Sequence, residues 1–213
     1  MRADIRRELI RRIVQGVYQA GDRLVELHIA REFNTSQAPV REAFRELEAL
    51  RLVECESYRG TRVRGLSERE QREAAAVRGV LEESAARDAS RVLEGNTGAL
   101  RASVDAIREA ARAGDLDAYA RHNTTFHRTI VEASGNQVML RVWDSLMLEA
   151  RTRINLSAFS HDLMAAADSH DPIVEAFERG DASNAGRLLR EHAEVYAAAA
   201  LASAARSGDG ATP

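Results

Sequence analysis

The amino-acid sequence predicts a mainly α-helical chain: an N-terminal winged helix-turn-helix, with three helices and a small β-hairpin wing, followed by an all-helical bundle. Residues 21–64 hold two short amphipathic helical patterns, a turn between them, and then a hairpin pattern. From about residue 68 to 206, apolar residues recur at helical spacing and no strand pattern is evident. The 213 residues include only 13 Gly and 3 Pro, which argues against a turn-rich β fold.

The first domain is predicted over residues 1–66. Residues 4–15 indicate a helix with one apolar stripe, formed by Ile5, Leu9, Ile10 and Ile13. A second helix is expected over residues 26–33, with Leu27, Ala30 and Phe33 facing inward.

A third helix and a wing complete this domain. Ser36 is a plausible N-cap, and Pro39 falls in the first turn, where a missing N–H costs little. The predicted buried stripe consists of Val40, Ala43, Phe44, Leu47 and Leu50. Residues 53–56 and 61–64 alternate like strands, with residues 58–60 at the tip.

The second domain is predicted over residues 67–206, with a disordered tail over 207–213 and the boundary at Gly65-Leu66. Ser67 with Glu70 three positions later is a capping-box signature. Helical patterns cover 68–93, 97–113, 116–134, 136–158, 161–179 and 182–206, and Asp171-Pro172 could kink or restart one of them. Glycine followed by a polar cap marks the breaks at 114–115, 135–136 and 180–181.

Charge and composition limit the function classes. The net charge is −3, but residues 1–66 carry 13 Arg against 10 Asp and Glu, which suits a phosphate backbone although ordinary surface charge is an alternative. Cys55 is the single cysteine, so no internal disulfide forms, and its position predicts a packing residue. With no apolar run long enough to cross a membrane and no signal peptide, we expect a soluble cytoplasmic protein.

One face of the third helix carries the side chains suited to reading DNA. Gln37, Arg41 and Arg45 lie about one turn apart, opposite the apolar stripe, and such side chains bind base edges or phosphates. Ser36 can donate to a phosphate, and Arg59 and Gly60 would stand at the wing tip. The alternative is a solvated face balanced by its glutamates, Glu42, Glu46 and Glu48.

Residues 21–64 resemble the winged-helix domain of the GntR family of bacterial transcription regulators. The matching stretches are residues 21–24, 30–33, Ser36, 39–43, 47–48 and 59–60. The resemblance implies a homodimer on an imperfect palindrome of double-stranded operator DNA. Gln37 stands where the family often has Arg, which bears on the operator sequence.

Three histidines are spaced like ligands inside a helix bundle. Asn123 and His127 share one helix face, His170 precedes an apolar stripe, and His192 lies in the middle of a helix. Such nitrogen and oxygen donors suit a divalent ion such as Zn, Ni, Mn or Fe. Each histidine taken alone is more simply a hydrogen-bonded core or surface residue, and His122 and His161 are expected at the surface.

The helical region also resembles a known domain. NTTFHRTIVEASGN, the positions of His170 and His192, and VRGVLEESAARDA (77–89) are similar to the FCD effector domain of the FadR subfamily of GntR regulators, over about residues 70–205. The resemblance implies a divalent metal at Asn123, His127, His170 and His192, with Asn123 in place of the usual Asp. An ion held by neutral ligands would keep its charge and attract a small carboxylate effector.

Arginines are the candidates for holding that effector. Arg78 follows the family's Arg position and could hold a carboxylate, or could instead form a structural pair with Glu82. Arg151 and Arg153 are weaker candidates for the same role, whereas Trp143 is more simply a core or dimer residue.

These observations favour a ligand-responsive transcription regulator, most simply a repressor, and not an enzyme. One alternative is a metalloenzyme with a DNA-binding appendage, but no general base is evident beside the ligands. Another is a winged helix that binds protein instead of DNA, against which Arg41 and Arg45 argue.

Overall fold

The computed structural model describes residues 2–14, 16–50, 52–56, 60–64, 67–158 and 162–208. The chain divides into two compact units, residues 1–66 and 67–213. Among the residues described, no helix has both the length and the apolar character needed to cross a membrane.

The first unit consists of helices and a small sheet. Its elements are α1 (Arg2–Val14), β1 (Arg23–Leu24), α2 (Glu26–Glu32), α3 (Gln37–Ala49), β2 (Val53–Glu56) and β3 (Gly60–Val63). The hairpin β2–β3 is antiparallel, and β1 pairs antiparallel with the other edge of β3, giving the order β1-β3-β2. The three helices and the hairpin agree with the sequence prediction, whereas strand β1 was not predicted.

The core of this unit follows most of the predicted stripes, but Leu27 is exposed, and Ile10, Phe33 and Leu50 are only partly buried. Ile5, Leu9 and Ile13 of α1 are buried, as is the stripe of α3, formed by Val40, Ala43, Phe44 and Leu47. In α2 the inward prediction for Leu27 was wrong: its side chain is 42% exposed, and Ile29 is buried instead. Ile29 and Ala30 form the buried face of α2, which packs against α3.

The second unit is entirely helical within the residues described. Its elements are α4 (Glu68–Leu93), α5 (Gly98–Ala113), α6 (Leu116–Ala133), α7 (Gln137–Asp144), α8 (Leu148–Ala158), α9 (Leu163–Asp168), α10 (Asp171–Glu178) and α11 (Ala182–Gly208). Helix α11 continues two residues into the predicted tail, and residues 209–213 lie outside the described part of the chain, as does the predicted boundary at 65–66.

Local capping chemistry sets the helix ends. Ser67 and Glu70 form the predicted capping box, in which each side chain bonds the other residue's backbone N–H. Asp115 and Asn136 cap α6 and α7, each after a glycine with positive φ. These polar side chains satisfy backbone donors that the first turn of a helix leaves without partners.

Two predicted helices are each divided in the structure. The helix expected over 136–158 breaks between α7 and α8, where Met147 adopts φ 54°. The helix expected over 161–179 breaks at Ser169–His170, and α10 restarts with Pro172 in its first turn. The predicted restart at Asp171-Pro172 is confirmed, because proline fits the first turn of a helix better than its interior.

Helix α4 packs along α11, and two glycines permit the close approach. A Cβ added at Gly186 would stand 3.1 Å from the Glu83 carbonyl oxygen on α4. A Cβ at Gly79 would stand 3.3 Å from Cγ of the flexible Arg190 side chain. This packing fixes α11, and with it His192, against α4.

Candidate functional site

The reading face of α3 is exposed as the sequence predicts. The side chains of Gln37, Arg41 and Arg45 point away from the buried stripe. Ser36 occupies the N-cap position in an extended conformation, but its hydroxyl makes no capping hydrogen bond. The hydroxyl and the first N–H groups of α3 can therefore donate to a phosphate.

Both arginines of this face are paired with carboxylates. Arg41 donates through Nε and Nη2 to the two oxygens of Glu26 on α2, at 3.1 and 2.8 Å. Arg45 donates to Glu42 at 2.7 Å, within the same helix. Both arginines are exposed, although Glu26 is partly buried, so solvent weakens the pairs and the arginines can exchange them for DNA partners.

The wing carries cations that sequence reasoning missed. Gly60 opens β3 with φ 85°, and the guanidinium of Arg23 lies against it, with Nε 3.3 Å from where a Cβ would stand. Arg23 pairs across the sheet with Arg62, and both side chains are exposed. Arg59, predicted at the wing tip, lies outside the described residues. The two-residue strand β1 is too short to leave a periodic signal, which is why Arg23 was overlooked.

Four predicted ligands converge in the second unit. Asn123 and His127 lie on one face of α6, His170 is the N-cap of α10, and His192 lies on α11; all four are buried. One nitrogen from each of the three histidines lies within 4.8 Å of the others. Phe126 packs its ring edge-on against His127 and His170, with centroids 5.0 and 4.8 Å apart.

Hydrogen bonds orient two of these rings. His170 Nδ1 lies 3.0 Å from the Ala167 carbonyl oxygen, which makes Nδ1 the donor and leaves Nε2 with a lone pair. That Nε2 is 3.0 Å from Oδ1 of Asn123. His192 Nδ1 lies 3.2 Å from the Ser169 hydroxyl.

Burial keeps the three histidines uncharged. It lowers the pKa of His127 and holds the pKa of His192 well below its usual range. It also lowers the pKa of His170 to about 3, with the neighbouring His127 adding to the effect. Neutral imidazoles are the form that binds metals.

The donor set fits a divalent cation. His170 Nε2 and Asn123 Oδ1 face each other as two acceptors, and two ligands of one ion at about 2.1 Å from it stand about 3.0–3.4 Å apart. A rotation of the Asn123 amide by 180° would instead turn its NH₂ group, a donor, toward His170 Nε2. The orientation of such an amide is assigned from its hydrogen bonds. His127 adds independent support, because within the described part of the chain its buried Nε2 has no hydrogen-bond partner.

Glu82 on α4 stands directly behind His127. Its carboxylate is fully buried, accepts from Arg78 Nε at 2.8 Å, and lies 3.1 Å from His127 Nδ1. Burial alone would raise the pKa of Glu82, but the charge of Arg78 and the proximity of His127 hold it below its usual range. Trp143 Nε1 donates to the same carboxylate at 2.9 Å.

A surface pocket lies beside this network. Arg78 and Arg151 line it together with Gln71, Thr152 and Asn155, and its remaining wall is apolar. Arg78 Nη2 is buried and makes no hydrogen bond to the described residues. The charge of Arg78 also lowers the pKa of all three histidines, so the pocket and the histidine cluster are electrostatically coupled.

Sequence profiles of two known domains match the chain. The profile of "Bacterial regulatory proteins, gntR family" matches residues 1–63, and that of the FCD domain matches residues 73–195. The chain belongs to the GntR family and carries an FCD domain. GntR-type regulators bind DNA, so the prediction of a transcription regulator, and not an enzyme, is confirmed.

Curated relatives include GntR-family repressors. The chain is 40% identical over 194 residues to the "Probable D-xylose utilization operon transcriptional repressor" of Paenarthrobacter nicotinovorans, covering 91% of this chain and 86% of the relative. It is 28% identical to the gluconate operon transcriptional repressor of Bacillus subtilis (strain 168), covering 82% and 74%. A GntR regulator from Rhodococcus sp. RHA1 shares the fold, with a TM-score of 0.79, 23% identity and coverage of 94% and 97%.

The remaining predicted residues of the FCD domain occupy distinct places. Arg151 lines the pocket and donates to the Leu146 carbonyl at 2.7 Å, whereas Arg153 pairs with Asp117 outside it. Trp143 is buried in the core, in agreement with its sequence interpretation. His122 is partly buried, and His161 lies outside the described residues.

Proposed function

We propose that this chain is a repressor that binds a palindromic operator as a dimer and is controlled by a small carboxylate bound beside a divalent metal. One observation supports the proposal above all: a buried, partly unsatisfied arginine, Arg78, lines a pocket coupled to three buried neutral histidines. The names of the relatives support repression, since both are operon repressors. Placement in the FadR subfamily stays a prediction.

Asn123, His127, His170 and His192 would hold the ion. Three imidazoles and an amide oxygen favour Zn, Ni or Mn. When bound, the ion would supply a positive centre for an anionic ligand. Because all four ligands are neutral, the ion would keep its charge. The single negative charge of Glu82 would offset only part of the combined positive charge of the ion and Arg78.

That surplus of buried positive charge explains why the effector should be an anion. Arg78 presents Nη2 for a carboxylate, and Arg151 supplies a second guanidinium at the pocket wall. Gln71, Thr152 and Asn155 add polar groups that suit hydroxyls. Together with the relatives' names, this lining favours a small hydroxylated acid derived from a sugar.

The winged helix would supply the output. Arg41, Arg45 and Gln37 would reach base edges or phosphates, and Ser36 would donate to the backbone. Arg59 and Gly60 would contact the backbone or the minor groove from the wing. Two copies are needed, because one short recognition helix is too small for tight specific binding.

Exposed valines offer a surface for the second copy. Val77 and Val80 on α4, and Val138 and Val142 on α7, are 44–62% exposed. Apolar residues at helical spacing on neighbouring helices suit a partner of the same chain. Light scattering of the purified full chain should give twice the mass of 23.5 kDa, and a monomer at micromolar concentration would contradict the dimer.

The proposal is tested by operator binding. Protein loaded with Zn²⁺, Ni²⁺ or Mn²⁺ is titrated onto labelled fragments upstream of its own operon, with D-xylose, D-xylonate or D-gluconate added. An acid should change the apparent Kd by about 5–150-fold, whereas the neutral sugar should not. Arg78→Met should abolish the effect of the acid on the apparent Kd, while the protein still binds DNA.

Two outcomes would contradict different parts of this proposal. If an acid binds the protein in calorimetry but leaves the operator affinity unchanged, regulation by that pocket is wrong. If binding to random DNA does not weaken steeply with salt, the winged helix does not use its arginines on phosphates.

A further inference from the structure

Glu82 is a buried carboxylate whose two oxygens contact three side chains from three helices. Oε1 accepts from Arg78 Nε on α4 at 2.8 Å and from Trp143 Nε1 on α7 at 2.9 Å. Oε2 lies 3.1 Å from Nδ1 of His127 on α6. A fully buried carboxylate is costly unless such partners compensate its charge.

Glu82 lies outside the set of candidate ligands. His127, His170 and His192 bring their nitrogens within 4.8 Å of one another, and in the described part of the chain no carboxylate joins that group. Its contact with the cluster runs through His127. Glu82 therefore stands behind a ligand and does not face the centre of the site.

The contact bears on which nitrogen of His127 carries the proton. Nδ1 lies within ion-pair distance of Glu82 Oε2 without completing a hydrogen bond, and Nε2 is buried with no hydrogen-bond partner among the residues described. A carboxylate beside Nδ1 favours the Nδ1–H tautomer, which leaves the Nε2 lone pair for a cation.

We propose that Glu82 is the positioning residue that holds His127 in its metal-binding tautomer and links this ligand to Arg78 in the effector pocket. The proposal rests on the metal site put forward above. His170 and His192 have neutral supports at Nδ1, the Ala167 carbonyl and the Ser169 hydroxyl. Asn123 is neutral, so the ligand set has no negative charge of its own. Glu82 supplies a negative charge directly behind it.

The same carboxylate connects the two ligands of the site. Arg78 donates to Glu82 through Nε and leaves Nη2 for an effector. An anion on Arg78 would draw part of the guanidinium's charge away from Glu82, and more of the carboxylate's charge would then act on His127. Metal and effector should therefore strengthen each other's binding, as reciprocal coupling requires.

The first measurement is made on metal-free full-length protein. Long-range ¹H–¹⁵N spectra of its histidines identify which nitrogen of His127 is protonated, with His127→Ala used for assignment. The wild type should show Nδ1–H, and Glu82→Gln should shift the ring toward Nε2–H or a mixture of tautomers. An unchanged His127 tautomer in Glu82→Gln overturns the proposal, whether or not the protein binds metal.

The second measurement is a Zn²⁺ competition titration of the same proteins. Glu82→Gln should weaken Zn²⁺ binding by about 10–100-fold, as loss of a carboxylate behind a metal-bound histidine does. Trp143→Phe is the matched control, because it removes a donor from Oε1 and leaves the Oε2 contact; it should stay within a few-fold of wild type. Equal affinity of Glu82→Gln and wild type would overturn the positioning role.

A third variant addresses folding, because Glu82→Gln leaves Arg78 buried without its partner charge. The double variant Arg78→Met/Glu82→Gln removes both charges and is compared with Arg78→Met alone, which keeps the contact to His127. The double variant should bind Zn²⁺ about 10–100-fold more weakly than the single one. If the wild type binds no Zn²⁺, Ni²⁺ or Mn²⁺, the proposed metal site fails, and the tautomer spectra still decide the role of Glu82.

Discussion

Mild acid should destabilise the second unit of the metal-free protein, because its three clustered histidines are buried and neutral when folded. Burial lowers the pKa of His170 from 6.5 to about 3 and lowers those of His127 and His192 in the same direction. Below about pH 6.5 the unfolded chain therefore binds protons that the folded chain does not. Stability from this source is complete above pH 6.5 and is lost as the pH falls.

The magnitude follows from the shift at His170. Each pH unit below 6.5 costs about 1.4 kcal/mol until the folded-state pKa near 3 is reached, so the loss at pH 5 is about 2 kcal/mol for this residue alone. His127 and His192 add to it. Carboxylates with lowered pKa, such as Glu178, lose their contribution only at more acid pH. Glu149, whose pKa is raised by burial, acts in the opposite direction.

Urea unfolding in EDTA at pH 7.5, 6 and 5 measures this loss. Trp143 is the single tryptophan and is buried in the second unit, so its fluorescence reports that unit. His170→Gln should remove about 2 kcal/mol of the pH dependence, whatever its absolute stability, and His122→Gln should keep the wild-type dependence. If His170→Gln and wild type lose stability equally between pH 7.5 and 5, the reasoning is refuted.

Three further variants test packing, capping and DNA contact. Gly186→Ala should destabilise the second unit by about 1–2 kcal/mol in urea unfolding, because its Cβ would press on a helix backbone at 3.1 Å, whereas Gly79→Ala should be nearly neutral. Equal losses of stability for Gly186→Ala and Gly79→Ala would contradict the tighter approach of the two helices at Gly186. Ser67→Ala should cost about 1 kcal/mol in the same assay, and no loss would mean that the capping box is not formed in solution. Arg41→Ala should weaken operator binding by about 1–3 kcal/mol in a titration in which Arg87→Ala has no effect; parallel losses would indicate a general charge effect.

Features with a strong local signal were predictable from the sequence. The helix of α4 was predicted with both its ends, because the Ser67 capping box and a long apolar pattern fix its limits. Asn123 and His127 were predicted on one helix face, and both are buried on α6. Periodicity and capping are encoded within a few neighbouring residues, and a single sequence displays them directly.

Features that depend on distant partners were not predictable in this way. The break at Met147 has no glycine or proline to announce it, and positive φ at such a residue persists only where surrounding packing supports it. The sequence indicates Glu82 only as a structural partner of Arg78. Its contacts with His127 and Trp143 join positions 45 and 61 residues apart, and no local pattern relates them.

The bidentate pair between Arg41 and Glu26 has a consequence for how the protein searches a genome. Any DNA that engages Arg41 must first separate it from a carboxylate that already satisfies two of its donors. A phosphate can also accept two hydrogen bonds from this guanidinium, so the exchange is open to DNA of any sequence. A site that presents a guanine edge returns two hydrogen bonds for the two given up. Breaking the pair costs the same free energy at every site that engages Arg41, so the pair lowers the affinity for DNA of any sequence, and preference for the operator rests on the contact that replaces it.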